Sequence, residues 1–109
     1  MIVFELLLNG KLLARGGAAD LSVLSQTITA RGVLGEKSLG TKDVKDGYFL
    51  EASLTGLTSR SSEPANVHHV WAQSNLRAGD ELTIRVVEAD DADAPLVLAP
   101  READLTGSN

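Results

Sequence analysis

Four carboxylates crowd into the six residues from Glu88 to Asp93: Glu88, Asp90, Asp91 and Asp93. Calcium is the cation that takes such a set, because a hard ion collects several carboxylate and carbonyl oxygens. The spacing does not build an EF-hand loop. With Asp91 as first ligand, Asp93 stands third, but Pro95 and Leu96 occupy places that want a ligand and a glycine. The plainer reading is an acidic loop that keeps one end of a sheet solvated. Its crowding also suits a basic protein partner, since mutual repulsion favours meeting positive charge.

The remaining reactive side chains form no catalytic constellation. His68 and His69 are the two histidines. Adjacent strand residues point to opposite faces, so these two cannot hold one metal together. The chain has no cysteine, which excludes disulfides, thiolate metal sites and a cysteine nucleophile. Ser59, Ser61 and Ser62 fall in a polar stretch with no G-x-S-x-G around them. Glu51 and Glu81 are carboxylates of the kind an acid–base pair needs. Any acidic chain offers such pairs, and a domain this small has little room for a deep cleft. The glycines at 32, 35, 40 and 47 are too spread to cradle a phosphate, and no GK[ST] follows them. The expectation is a non-enzymatic protein with no catalytic residue, no cofactor and no metal beyond the weak calcium set.

Trp71 is the one tryptophan among few aromatic residues. It is a core filler near a strand end, or an anchor in an interface, where tryptophan is enriched.

These side chains need a scaffold, and 109 residues make one domain with a modest core. The net charge is −5, and it is unevenly spread. From Asp80 onward eight acids meet two bases, a balance of −6, while residues 1–79 sum to +1. An acidic surface repels phosphate backbones, so nucleic acid is not an expected partner. No apolar run approaches the roughly 20 residues that span a bilayer. The apolar start, Met1 to Leu8, lacks a basic flank and is broken by Asn9-Gly10, so it reads as a strand rather than a signal peptide. A cytoplasmic protein without membrane contact is expected.

The periodicity is that of strands. Ile2, Phe4, Leu6 and Leu8 share a face, and Asn9-Gly10 is a strong hairpin signal. A two-residue loop would pair Leu7 with Leu12 and Leu6 with Leu13, which puts leucine on both faces. Leu7 and Leu12 are therefore candidate contact residues. Leu21 to Arg31 reads as a strand with Leu24, Ile28 and Ala30 inward, although a short helix at 18–25 competes. Residues 32–47 read as a long mobile loop. Tyr48 to Leu57 is a strand with Tyr48, Leu50, Ala52 and Leu54 inward, and 58–64 is a polar loop. Val67 to Gln73 is a strand with Val67, His69 and Trp71 on one face. After the Ala78-Gly79-Asp80 turn, Leu82, Ile84 and Val86 alternate with polar residues and predict the most buried trio of the domain. Leu96 to Leu98 would add a short edge strand, and 101–109 a loose polar tail.

Several of these pieces match a known pattern: Leu8-Asn9-Gly10, Val23-Leu24-Ser25, Gly56-Leu57, Glu63, Trp71, Leu76, Gly79-Asp80-Glu81, Val86-Val87-Glu88 and Pro95. In them the chain resembles a group of small bacterial all-β proteins that carries no established activity, cofactor or site. The resemblance implies a single β domain and a bacterial origin.

The expected architecture is all-β: a small antiparallel sandwich or partly open barrel of six to seven strands, over residues 1–100. The expected function is a protein-interaction module that self-associates or binds another protein. Leu7, Leu12 and Trp71 would form the contact, and Asp90, Asp91 and Asp93 would bias partner choice. The alternatives are an acidic, immunity-type inhibitor of a basic partner, and a small enzyme or ligand carrier.

Overall fold

The computed structural model describes residues 1–96; the 97–98 part of the expected last strand and the 101–109 tail lie outside the described residues. There is no helix among the described residues, including at 18–25. Six strands follow in order: β1 (Ile2–Leu8), β2 (Lys11–Gly16), β3 (Leu21–Gly32), β4 (Tyr48–Thr58), β5 (His68–Asn75) and β6 (Leu82–Glu88). They form two antiparallel three-stranded sheets, ordered β2-β1-β6 and β3-β4-β5. The sheets face each other as a small sandwich and do not close into a barrel.

The first hairpin turns as its sequence requires. Asn9 has φ 52° and Gly10 φ 82°, the left-handed pair that Asn-Gly adopts at low cost. A second turn docks on it. The amide of Asn9 donates to the Glu81 carbonyl, the Glu81 amide donates to Asn9 Oδ1, and Asn9 Nδ2 donates to Asp80 Oδ1 at 3.1 Å. The two turns thereby hold the ends of β1 and β6 in register, from Leu8 opposite Leu82 to Ile2 opposite Glu88.

Bulges correct several simple alternations. Leu7 does pair with Leu12, but Leu6 pairs with Ala14 rather than Leu13, because the register shifts between Leu6 and Leu7. An extra residue in one strand leaves the ladder locally broken and re-aims the side chains around it. Leu6 and Leu7 are both buried, while Leu12 and Leu13 are exposed at the hairpin's far arm. A second shift lies between Leu54 and Thr55: Leu54 pairs with Ala72 and Thr55 with Val70. Trp71 is the additional residue there, and Val70, Trp71 and Ala72 are all buried in succession. Strict alternation from Val67 to Gln73 is therefore not observed.

The core gathers Leu6, Ala14, Leu54, Trp71 and Ala72, with Phe4, Leu21, Leu24, Leu82 and Ile84 packed around it. The largest fully buried side chains are Leu6, Leu54, Val3 and Thr58. Thr58 thus ends a strand inside the protein rather than opening a polar loop. Its hydroxyl donates to the Ala65 carbonyl and accepts the Val67 amide at 2.7 Å, which satisfies the buried oxygen. Leu82, Ile84 and Val86 are not the most buried trio: Val86 is 66% exposed. Tyr48, Ile28 and Ala30, expected inward, are exposed too. The reason is common to Val86 and Ile28. Each points to the inner face of an edge strand, and the opposite sheet does not extend over it.

Residues 33–47 are tied down. Val33 donates to the Gly47 carbonyl, Thr41 to that of Val44, and the Ser38 hydroxyl links Gly32 and Gly40.

Candidate functional site

The acidic loop is the first place to look, and it is engaged within the chain. After β6, the Asp93 amide donates to the Arg15 carbonyl at 2.9 Å, and the Arg15 amide donates to Asp93 Oδ2 at 2.8 Å. Asp93 therefore closes on the backbone of β2, an edge strand. The Trp71 indole Nε1 donates to the Asp93 carbonyl at 2.9 Å. The Leu96 amide then donates to the Val70 carbonyl at 2.7 Å. The segment from Asp93 to Leu96 so runs from β2 to β5 and straps together the two sheet edges on that side.

Charge on this side is also paired. The Arg15 guanidinium lies 3.1 Å from Glu5 and 3.5 Å from Asp91, and Glu5 reaches Arg85 at 3.7 Å. Glu5 pairs in register with Arg15 on one flank and Arg85 on the other, so the three form a cross-strand ladder. The hydrogen bond to Glu5, ahead of those involving Asp91, raises the Arg15 pKa above its usual value. Asp91 thus meets the Arg15 guanidinium and Asp93 the Arg15 backbone, while all four carboxylates stay at the surface. The four carboxylates do not converge: no cluster of three or more His, Asp or Glu groups able to hold a metal occurs among the described residues.

The other expected contact residues divide. Trp71 is 3% exposed and fills the core, its ring 5.7 Å from that of His69. Leu7 is buried; Leu12 stays at the surface beside Leu13. His68 is exposed and His69 half-buried. Glu51 lies on β4, and Glu81 lies in the turn before β6 of the other sheet, where its amide and carbonyl bond Asn9.

The side opposite the strap is the one sequence reasoning missed. There β6 and β3 are the outermost strands. Val86 and Ile28 are exposed on their inward faces, Ile2 is 50% exposed, and Met1 lies beside it. A cleft of about 470 Å³ opens between Met1, Ile2 and Phe4 on β1 and Ala18 to Leu24 at the start of β3. Aliphatic side chains and Phe4 share its lining with Ser22 and backbone polar groups. Alternation in β6 and β3 marked these residues as inward, but no sequence signal shows that the facing sheet stops short.

No family model, curated protein or solved structure matches the chain. No helix among the described residues is long and apolar enough to cross a membrane.

Proposed function

We propose that this protein is a non-enzymatic interaction module of a bacterial cytoplasmic protein, and that its contact surface is the open side of the sandwich. One observation carries the reading: the apolar side chains Ile2, Ile28 and Val86 are exposed on this side, and Ile2 lines a cleft there with Met1, Phe4, Leu21 and Leu24. Contiguous exposed apolar surface on a small domain marks a contact. The opposite side supports the same polarity of use, because its edges are strapped and its charges paired. The occupant fitted by this surface is an apolar protein segment.

The acidic-inhibitor reading retains less support. Asp91 is paired with the Arg15 guanidinium and Asp93 is bound by the Arg15 amide, so among the described residues only Asp90 and Glu88 of the four make no such contact.

An environment-sensitive apolar dye tests the proposal. Its fluorescence should rise on the folded protein. Val86→Glu should suppress that rise while leaving the melting temperature in place. Dye binding that ignores Val86→Glu but responds to Leu12→Glu would move the contact to the hairpin and refute this reading.

A further inference from the structure

Ten residues of β3, Leu21 to Ala30, carry no charge and no proline. At about 3.3 Å per residue they make a neutral edge roughly 33 Å long. Native sheets protect such edges with charge, proline, short strands or a covering segment. The other edges here are protected. β2 is closed by Asp93 and carries Lys11 and Arg15; β5 is met by Leu96; β6 is short and carries Arg85 and Glu88. Among the described residues no backbone partner other than β4 meets Ser22 to Ala30.

The edge is also neutral in an acidic molecule. Two copies of a chain with net charge −5 repel each other, so a self-contact must avoid the acids, and β3 is the edge that does. A second feature sits at its centre. Gln26 points inward opposite Leu54. Its Nε2 donates to the Thr27 carbonyl, while its Oε1 is buried and accepts no hydrogen bond among the described residues. A buried amide oxygen without a donor is costly.

We infer that the occupant of the open side is a second copy of this chain, paired antiparallel along β3 about a two-fold axis at Gln26. This rests on the open-side reading and names its partner. Residues of like parity then oppose each other. Gln26 meets the partner copy's Gln26; on pairing, each amide turns from its Thr27 carbonyl, so that each Nε2 donates to the other's Oε1. Leu24 meets the partner's Ile28 on the inner face, and Ser25 meets the partner's Thr27 on the outer one. The two β3-β4-β5 sheets become one of six strands, and the exposed Val86 of each copy turns towards the dyad. The contact is isologous, as a closed dimer requires.

The chain's lack of cysteine makes the register directly testable. Light scattering across the micromolar range should give a dimer. Gln26→Cys should form an intermolecular disulfide on mild oxidation, and Val23→Cys, on the same strand but off the axis, should not. Ile28→Lys, at an exposed position, should raise the dimer dissociation constant at least about tenfold, a change of roughly 1.4 kcal/mol. A monomer throughout the range overturns the inference, even if β3 amides resist exchange, since another segment then covers the edge. A dimer that cross-links through Val23→Cys and not Gln26→Cys overturns the register. If a monomer still binds the dye through Val86, the open-side reading survives and the second copy alone is refuted.

Discussion

Trp71 and Asp93, 22 residues apart in the chain, are joined by one hydrogen bond from the indole Nε1 to a backbone carbonyl at 2.9 Å. The bond ties the centre of the core to the strap over the sheet edges. It also explains how a buried indole satisfies its N–H in a core otherwise made of aliphatic side chains.

Removing the ring and removing the bond should therefore separate. Trp71→Ala should cost about 3–5 kcal/mol through a cavity. Trp71→Phe keeps most of the volume and should cost less, including about 1 kcal/mol for the lost hydrogen bond. Urea unfolding measures both. Equal losses would mean that the polar contact, not packing, dominates at this position.

Gly56 sits where a larger residue has no room. A Cβ there would lie 2.9 Å from Leu21 Cδ2 and 2.9 Å from Trp71 Cζ3. Gly56→Ala should destabilise by about 1–3 kcal/mol, as overpacking does. Gly35→Ala meets nothing within 4 Å and should stay within about 0.5 kcal/mol of wild type. A neutral Gly56→Ala would show that the sheets separate easily.

Burial ranks two inward strand residues very differently. Leu54, fully buried, should lose about 2–5 kcal/mol on truncation to alanine. Val86, mostly exposed, should change stability by no more than about 0.5 kcal/mol in the monomer. Chemical denaturation of the two variants side by side checks the order, and a large loss at Val86 would place it under cover in solution.

Asp80 sets an acid limb. Hydrogen bonds from Asn9 and then from the Arg77 backbone hold its carboxyl below the ordinary carboxylate value. A carboxyl with a lower pKa folded than unfolded adds stability above the unfolded value, near pH 4, and that contribution disappears as pH falls through the folded one. Asp80→Asn should flatten the decline of the urea midpoint below about pH 4. An unchanged acid limb would remove Asp80 from this role.

The sequence shows the strands well and their environment poorly. Asn9-Gly10 marked the first turn and Gly79-Asp80 the last, because positive φ restricts the residue type. Alternation, strand propensity and the hairpin turn together located the six strands. Burial was misread where bulges intervene, since Leu13 and Trp71 each add a residue that alternation cannot anticipate. It was also misread at Ile28 and Val86, whose apolar character is the same whether or not a facing sheet covers them. The acidic loop looked unpaired because Arg15, its counter-charge, lies 76 residues from Asp91 in the sequence and meets it only in the fold.

The pairing of Ile2 with Glu88 has a bearing on synthesis. Strands β3, β4 and β5 are consecutive neighbours, each pairing with the next strand to be made. The middle strand of the other sheet, by contrast, is made before the other five and gains its second neighbour only with the sixth. A two-stranded hairpin alone is marginal, and contacts of such long sequence separation form slowly. The emerging chain therefore carries β1 with one side unpaired until β6 leaves the ribosome. A chain stopped before Leu82 should retain β3-β4-β5 pairing at most, with its N-terminal leucines left to the first apolar surface they meet.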